Sequence, residues 1–492
     1  MGNCHQSNCD PCTPDSTAIN QLVRNAANYA RQSQTYSVNS ENSATNAENI
    51  INQGLVDIEQ ILNDFEELYL GAKNADPTTN NQGGPLQVGS LYWNSVSNQL
   101  KLWNGSTWIS IIFDEFTLFL TNGTTEQRNL FNRLADGVTP KDFGAVGDGV
   151  ANDTAALQAW LNFGGRLDGT AGTYVATSTL TIPNDNTHIN GNGMEITYNT
   201  SSRTSVIEIT SRSNITIKDL KINGRKDLKT ATGTHAAYGL YFENTSNIIV
   251  DGCYIQNTLE HGIRVGIEAS SPNNSNNVKI INNTLFECGN TTAGRGAGIW
   301  LYGLVSNFFI ENNSCLDCPI LGIGVDDSHS APDKDVLYGV ISNNITTSSA
   351  GVAEANGLLT VGIGISGTRK FTITGNVSYG YGRGFSISSV QARTQAGYSQ
   401  ITGNYFEGIR RGVNLVNVQY VNFCSNTVVT TSYFDTDSIC INAYSNSGFI
   451  ANSYLKEVII ANNQCFAYGK GIAINDNTTA QKWADNILIT GN

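Results

Sequence analysis

Val278-Lys279-Ile280-Ile281-Asn282-Asn283 is answered by Phe308-Phe309-Ile310-Glu311-Asn312-Asn313 and again by Val340-Ile341-Ser342-Asn343-Asn344. Each copy is an apolar-x-apolar run closed by two turn residues. The closing residue recurs at 252, 283, 313, 344 and 376, a spacing of 30 to 32 residues. Weaker copies continue through Ile401-Thr402-Gly403-Asn404 and Ile459-Ile460-Ala461-Asn462-Asn463 to Ile489-Thr490-Gly491-Asn492. Such a unit is too short to enclose a core, so it buries its apolar side only by stacking on its neighbours. Uncharged Asn at matching turns is suited to hydrogen-bonded ladders between coils.

A second motif alternates with the first. Gly239-Leu240-Tyr241-Phe242-Glu243, Gly262-Ile263-Arg264-Val265-Gly266, Gly298-Ile299-Trp300-Leu301-Tyr302 and Gly322-Ile323-Gly324-Val325-Asp326 all read Gly-apolar-x-apolar. Alternation in a strand sends Ile263, Val265, Ile299, Leu301, Ile323 and Val325 inward. The intervening residues then form outward rows. One row is Tyr241, Arg264, Trp300, Gly324, Gly364, Ser386 and Asn414; its neighbour is Glu243, Gly266, Tyr302, Asp326, Ser366, Ser388 and Val416. The expected fold is mainly β: a parallel β-helix over 136–492, whose C-terminal end reads as incomplete, cut within a repeat at Asn492.

Composition agrees. The chain has 492 residues, of which 40% are hydrophobic and only 14% charged, and 49 glycines. Low charge with abundant Gly, Asn and Thr suits tightly turned β-structure. The net charge of −13 repels phosphate backbones and anionic lipid, so no nucleic-acid partner and no membrane insertion are expected. No 18-residue apolar run occurs, and Met1–Asn20 lacks the apolar stretch of an export signal. Gln6 stands where a myristoylation motif wants Ser or Thr. Cys4, Cys9 and Cys12 fit no standard zinc spacing, and the remaining cysteines read as small buried thiols. No metal and no cofactor are expected.

Ahead of the stack, residues 1–80 read as a Cys- and Pro-containing tip followed by a helical association segment. Leu55, Ile58, Leu62, Phe65 and Tyr69 fall on a and d positions of two heptads, the seam of a short coiled coil that could be trimeric. Residues 81–135 hold a small β-rich module and a linker. There Ser90-Leu91-Tyr92-Trp93-Asn94 and Leu100-Lys101-Leu102-Trp103-Asn104-Gly105 alternate apolar with polar, a hairpin pattern. The stretch Gly89–Trp108 resembles modules common in phage tail fibres.

Lys141-Asp142-Phe143-Gly144-Ala145-Val146-Gly147-Asp148-Gly149, continuing through Asn152-Asp153-Thr154 to Trp160, resembles the entry segment of the pectate-lyase-like superfamily, which includes phage tailspikes. Physically, Asp153 or Thr154 would cap a short helix whose Ala156, Leu157 and Trp160 plug the open end of the stack. The resemblance implies a right-handed β-helix in a homotrimer. It implies attachment by the N-terminus to phage tail, baseplate or adaptor proteins, and binding of host capsule, lipopolysaccharide or another surface glycan. It also implies that the chain is assembled in the host cytoplasm and carried in the virion.

Candidate chemistry lies on the outward rows. Trp300, Tyr302, Arg264, Glu243, Glu268 and His329 are candidate saccharide contacts, because sugars offer an apolar face to stack and hydroxyls to bond. Asp326, with Asp327 or Glu354, is the candidate acid/base pair. Glycoside hydrolysis needs carboxyl groups about 5 Å apart for retention or 6.5–9.5 Å for inversion. With rungs ~4.8 Å apart, Glu243 lies roughly 14 Å and Glu268 roughly 11 Å from Asp326, which leaves them as binding candidates. Gly-x-Val-Asp326-Asp327 resembles the paired aspartates of polygalacturonases, whose companion Gly-His-Gly and Arg-x-Lys motifs are absent. Three readings therefore stand: a depolymerase, a non-catalytic receptor-binding fibre, and a secreted pectin-type hydrolase or lyase.

Overall fold

The structure is a computed structural model that describes residues 16–111, 118–119, 128–129, 137–230, 237–266, 275–292, 294–303, 305–326, 337–349, 360–389, 397–432, 438–446, 455–477 and 484–492. It divides into two compact units, Met1–Phe131 and Asn132–Asn492.

In the first unit a 53-residue helix, Ser16–Leu68, runs directly into the strand Tyr69–Lys73. That strand pairs in parallel with Leu91–Asn94, which continues antiparallel through Gln99–Trp103 to Trp108–Ile111. The Asn94 side chain accepts from the Val96 and Ser97 amides at 3.0 and 2.9 Å, and Asn104 does the same for Ser106 and Thr107 in the next turn. These are the side-chain-closed turns that Asn favours. Along the helix, Leu55, Ile58, Leu62 and Phe65 are all more than half exposed. Among the described residues, no helix is long and apolar enough to cross a membrane.

The second unit is a parallel β-helix with three faces. The first face is a 12-stranded sheet that includes His188–Asn190, Ser213–Lys218, Ser246–Asp251, Ser275–Ile281 and Val305–Glu311 and extends to Ala484–Thr490. The pairings of the 21-stranded sheet resolve into two further faces. The second face stacks Lys221–Asn223, Tyr254–Gln256, Thr284–Phe286, Ser314–Leu316 and Ile345–Thr347. The third stacks Ile207–Thr210, Leu240–Glu243, Ile263–Val265, Ala297–Tyr302, Leu321–Asp326 and Val361–Ser366. The long strands Val377–Ser388 and Tyr405–Val416 run through both.

Each sequence motif has a geometric cause. In Asn282-Asn283, Asn312-Asn313 and Asn343-Asn344 the first residue has φ of 54° to 58°, the left-handed region that Asn tolerates. The second is buried and forms a ladder: the amide N–H and the Nδ2 of Asn283 both donate to Oδ1 of Asn313, at 3.0 and 2.9 Å. Asn313 repeats this onto Asn344, Asn344 onto Asn376, and Asn376 onto Asn404. Each Nδ2 also donates to a strand carbonyl of the preceding coil, such as Val250 O for Asn283. The glycine opening the other motif marks a close approach: a Cβ at Gly262 would sit 2.7 Å from Gly298 O, and one at Gly298 would sit 2.9 Å from Gly322 O. Corners there bring backbone against backbone, so only hydrogen fits.

The helix Thr154–Phe163 closes the N-terminal end of the coil, with Leu157, Trp160 and Leu161 buried and Trp160 Nε1 donating to Val138 O at 2.9 Å. Asp153 stands at the N-cap position but makes no side-chain cap. Its carboxylate instead accepts from the amides of Val146, Gly147 and Val175 at 2.7, 3.2 and 3.3 Å, tying the entry loop to the first coils. Nor does Thr154 cap the helix; its hydroxyl donates to Asn152 Oδ1.

Candidate functional site

Strand register on the third face places the outward residues in line. Tyr241 pairs with Arg264, Arg264 with Trp300, and Trp300 with Gly324. In the adjacent row Tyr302 pairs with Asp326 and Asp326 with Ser366. Glu243 sits three rungs from Asp326 through Phe242, Val265, Leu301 and Val325. Asp327, His329, Glu354 and Glu268 lie outside the described residues.

The aromatic residues form one connected cluster. The Arg264 guanidinium lies 4.9 Å from the Tyr238 ring centroid, 5.4 Å from Tyr302 and 5.7 Å from Tyr241, and donates to the Tyr238 hydroxyl. A guanidinium over ring faces gains cation–π energy, of order 1 kcal/mol per good contact. Arg264 Nε has no hydrogen-bond partner among the described residues. Trp300 meets His261 edge-on at 4.7 Å and Tyr302 at 6.0 Å. The Tyr241 hydroxyl donates to Glu243 at 2.9 Å; burial, then the charge of Glu243, pushes its pKa above the usual phenol value. Burial pushes Tyr238 up to about 12. Both phenols stay protonated at neutral pH; Tyr241 donates to Glu243, and Tyr238 accepts from Arg264.

Beside this cluster the outward row changes to glycine. Trp300 is followed along the row by Gly324 and Gly364. Leu321 covers both: a Cβ at Gly324 would lie 2.5 Å from Leu321 Cδ2 and 3.7 Å from Trp300 Cδ2, and one at Gly364 would lie 3.2 Å from Leu321 Cδ1. Leu321 thus forms an apolar patch beside the indole, with Asp326 and Ser366 in the adjacent row. Farther on, the solvent-facing expectation fails: Ser386, Asn414 and Val416 point away from the core yet are 9%, 0% and 3% exposed. Asn414 is part of a lateral ladder: its side-chain amide meets that of Asn442 at 3.1 Å, and Asn442 in turn accepts from Asn475 at 3.0 Å.

Sequence reasoning missed Tyr238, His261 and the buried ion pair of Arg203 with Glu260, 2.5 Å apart. All but Arg203 stand just before the Gly of a Gly-apolar-x-apolar copy, where the corner feeds the strand. That position was the available signal.

Residues 167–357 match the family described as "Right handed beta helix region". The stack is a right-handed parallel β-helix. Among solved structures, PfbA, a surface adhesin of Streptococcus pneumoniae, superposes with a TM-score of 0.52 at 14% identity, over 72% of this chain and 90% of that one. Tailspike protein 3 of bacteriophage CBA120 gives 0.42 at 15% identity, over 87% and 79%. The tail spike protein of an Escherichia phage is 47% identical over 51 residues, a match that spans 10% of this chain and 6% of that protein.

Proposed function

We propose that this chain is a phage tailspike or tail fibre, a homotrimer held to the virion by its N-terminal unit, whose third β-helix face binds a host-surface polysaccharide. It is assembled in the host cytoplasm before lysis. The observation that carries this reading is the alignment of Arg264, Trp300, Tyr302 and Asp326 on one face beside two glycines covered by Leu321. An indole next to the apolar Leu321 side chain suits the flat face of a pyranose, and the flanking carboxylate, hydroxyls and guanidinium suit its hydroxyls. The short identity to a phage tail spike and the exposed apolar helix support the same assignment.

The same face supports cleavage as a second reading. Asp326 lies in register with Tyr302, in the row beside Trp300 and Leu321 where a glycosidic oxygen would pass. In hydrolysis one carboxylic acid protonates the leaving oxygen while a second carboxylate activates water or attacks the anomeric carbon. Asp327 and Glu354 are the partners proposed for Asp326. Incubating the protein with envelope polysaccharide from a bacterium that adsorbs it, and sizing the products, tests this directly. A depolymerase shortens the polymer, and Asp326→Asn abolishes shortening while keeping binding. Unchanged polymer with retained adsorption makes the protein a binding fibre.

A further inference from the structure

The residue just before each motif glycine forms a further line along the third face. Leu321 pairs with Val361, Val361 with Arg383, and Arg383 with Arg411. Side chains at this position bend over the outward row instead of entering the core. Leu321 covers Gly324 and Gly364, and Arg383 sets Nε and Nη1 at 3.2 and 2.9 Å from the side-chain amide of Asn414, which accepts from both. Asn414 is fully buried, so it fixes the direction of the Arg383 guanidinium without neutralising it.

Beyond Asp326 the face changes its charge. The strand Val361–Ser366, the segments 383–388 and 411–416, and the strand Ile439–Asn446 contain no Asp or Glu, yet they hold Arg383 and Arg411. The chain as a whole has 41 acidic and 28 basic residues, so bulk composition does not produce this segregation. The two arginines stand on adjacent rungs, ~4.8 Å apart by the strand spacing. Guanidinium groups so placed repel each other. Arg411 Nε is moreover buried with no hydrogen-bond partner among the described residues, and a charged donor left so is costly.

Resting on the glycan reading of the third face, we propose that Arg383 and Arg411 form an anion subsite and that the polysaccharide is acidic. Its carboxylate or phosphate group sits between the two guanidiniums. An oxyanion there offsets their repulsion and accepts from planar forks that match its geometry. Trp300 stands three rungs before Arg383, roughly 14 Å away by the rung spacing. One oligosaccharide lying along the coil axis therefore spans both, with a ring on the indole and an acidic substituent at the arginines.

Calorimetric titration of the full chain tests this with three probes from one adsorbing bacterium. They are native envelope polysaccharide, the same polymer with its carboxyl groups reduced to alcohols, and the same polymer stripped of phosphate with hydrofluoric acid. The parent should bind one treated polymer about tenfold or more weakly than the native one, and the effective treatment identifies the anion. Arg383→Gln with Arg411→Gln should bind native polymer as weakly as the parent binds that treated one, and should lose nothing more on treatment. Equal binding of all three polymers by the parent overturns the proposal. So does a double variant that stays as sensitive to the treatment as the parent, since the anion then sits elsewhere. Equal loss on native and treated polymers, in a variant that melts lower, assigns the arginines to the fold and overturns it too. Arg411→Gln alone, which gives up no Nε bond, supplies the same comparison if the double variant does not fold. Failure of the underlying glycan reading shows separately, as full affinity of Trp300→Ala for the native polymer.

Discussion

Arg264 shows how one side chain ties fold to function. Its neighbours across the ladder are Tyr241 and Trp300, so three aromatic rings and one cation occupy two rows of adjacent rungs. Lysine would keep the charge but lose the planar stacking on these rings. At the same scale the buried thiols set a pH limit. Burial raises Cys253 to about 12. Its unfolded value is near 9, so the folded state holds the proton more tightly and its contribution to stability is present below pH 9. That contribution is lost as pH rises toward 12. Thermal midpoints should therefore fall across this window, and Cys253→Ala should lessen the fall; an identical slope in the variant would exclude Cys253 as a contributor.

At the scale of the element, the coil depends on its Asn ladder. Asn344 accepts two bonds from Asn313 and donates to Asn376 and to Ile310 O. Asn344→Ala orphans two donors of Asn313 in a buried site, and each such group costs about 1–3 kcal/mol. Denaturant unfolding should show a loss of roughly 2–6 kcal/mol with little change in denaturant slope. This element was legible because its turn recurs at fixed spacing and its two residues have separate physical jobs. Strand direction on the third face was legible for the same reason: period-two alternation fixes which residue leaves the core. The corners were not. Tyr238, Glu260 and His261 come from segments of varying length, with no period to align them. Asn414 and Ser386 were placed on the correct side but are buried, which alternation alone does not report. Asp153 was placed at the helix start, but its carboxylate is claimed by three backbone amides that only the folded entry loop brings near.

For the whole molecule, the helix Ser16–Leu68 is the feature that a single chain does not satisfy. Fifteen large apolar side chains between Ile19 and Leu68 are at least about a third exposed, and a seam of this kind is buried by coiling with copies of itself. Leu55→Asp with Leu62→Asp should shift the sedimenting species of the full chain toward monomer, while the β-helix keeps its far-ultraviolet signal. Persistence of the trimer in this variant would place the main association surface on the coil.

The claim on which the functional account rests is that the third face holds the glycan. Calorimetric titration of an adsorbing bacterium's envelope polysaccharide into Trp300→Ala and Tyr254→Ala tests it most directly, since Tyr254 points outward from the second face. The account predicts affinity weakened about tenfold or more, about 1.4 kcal/mol, in Trp300→Ala, and unchanged in Tyr254→Ala, with both variants melting as the parent does. Full affinity in Trp300→Ala, or loss confined to Tyr254→Ala, would contradict it.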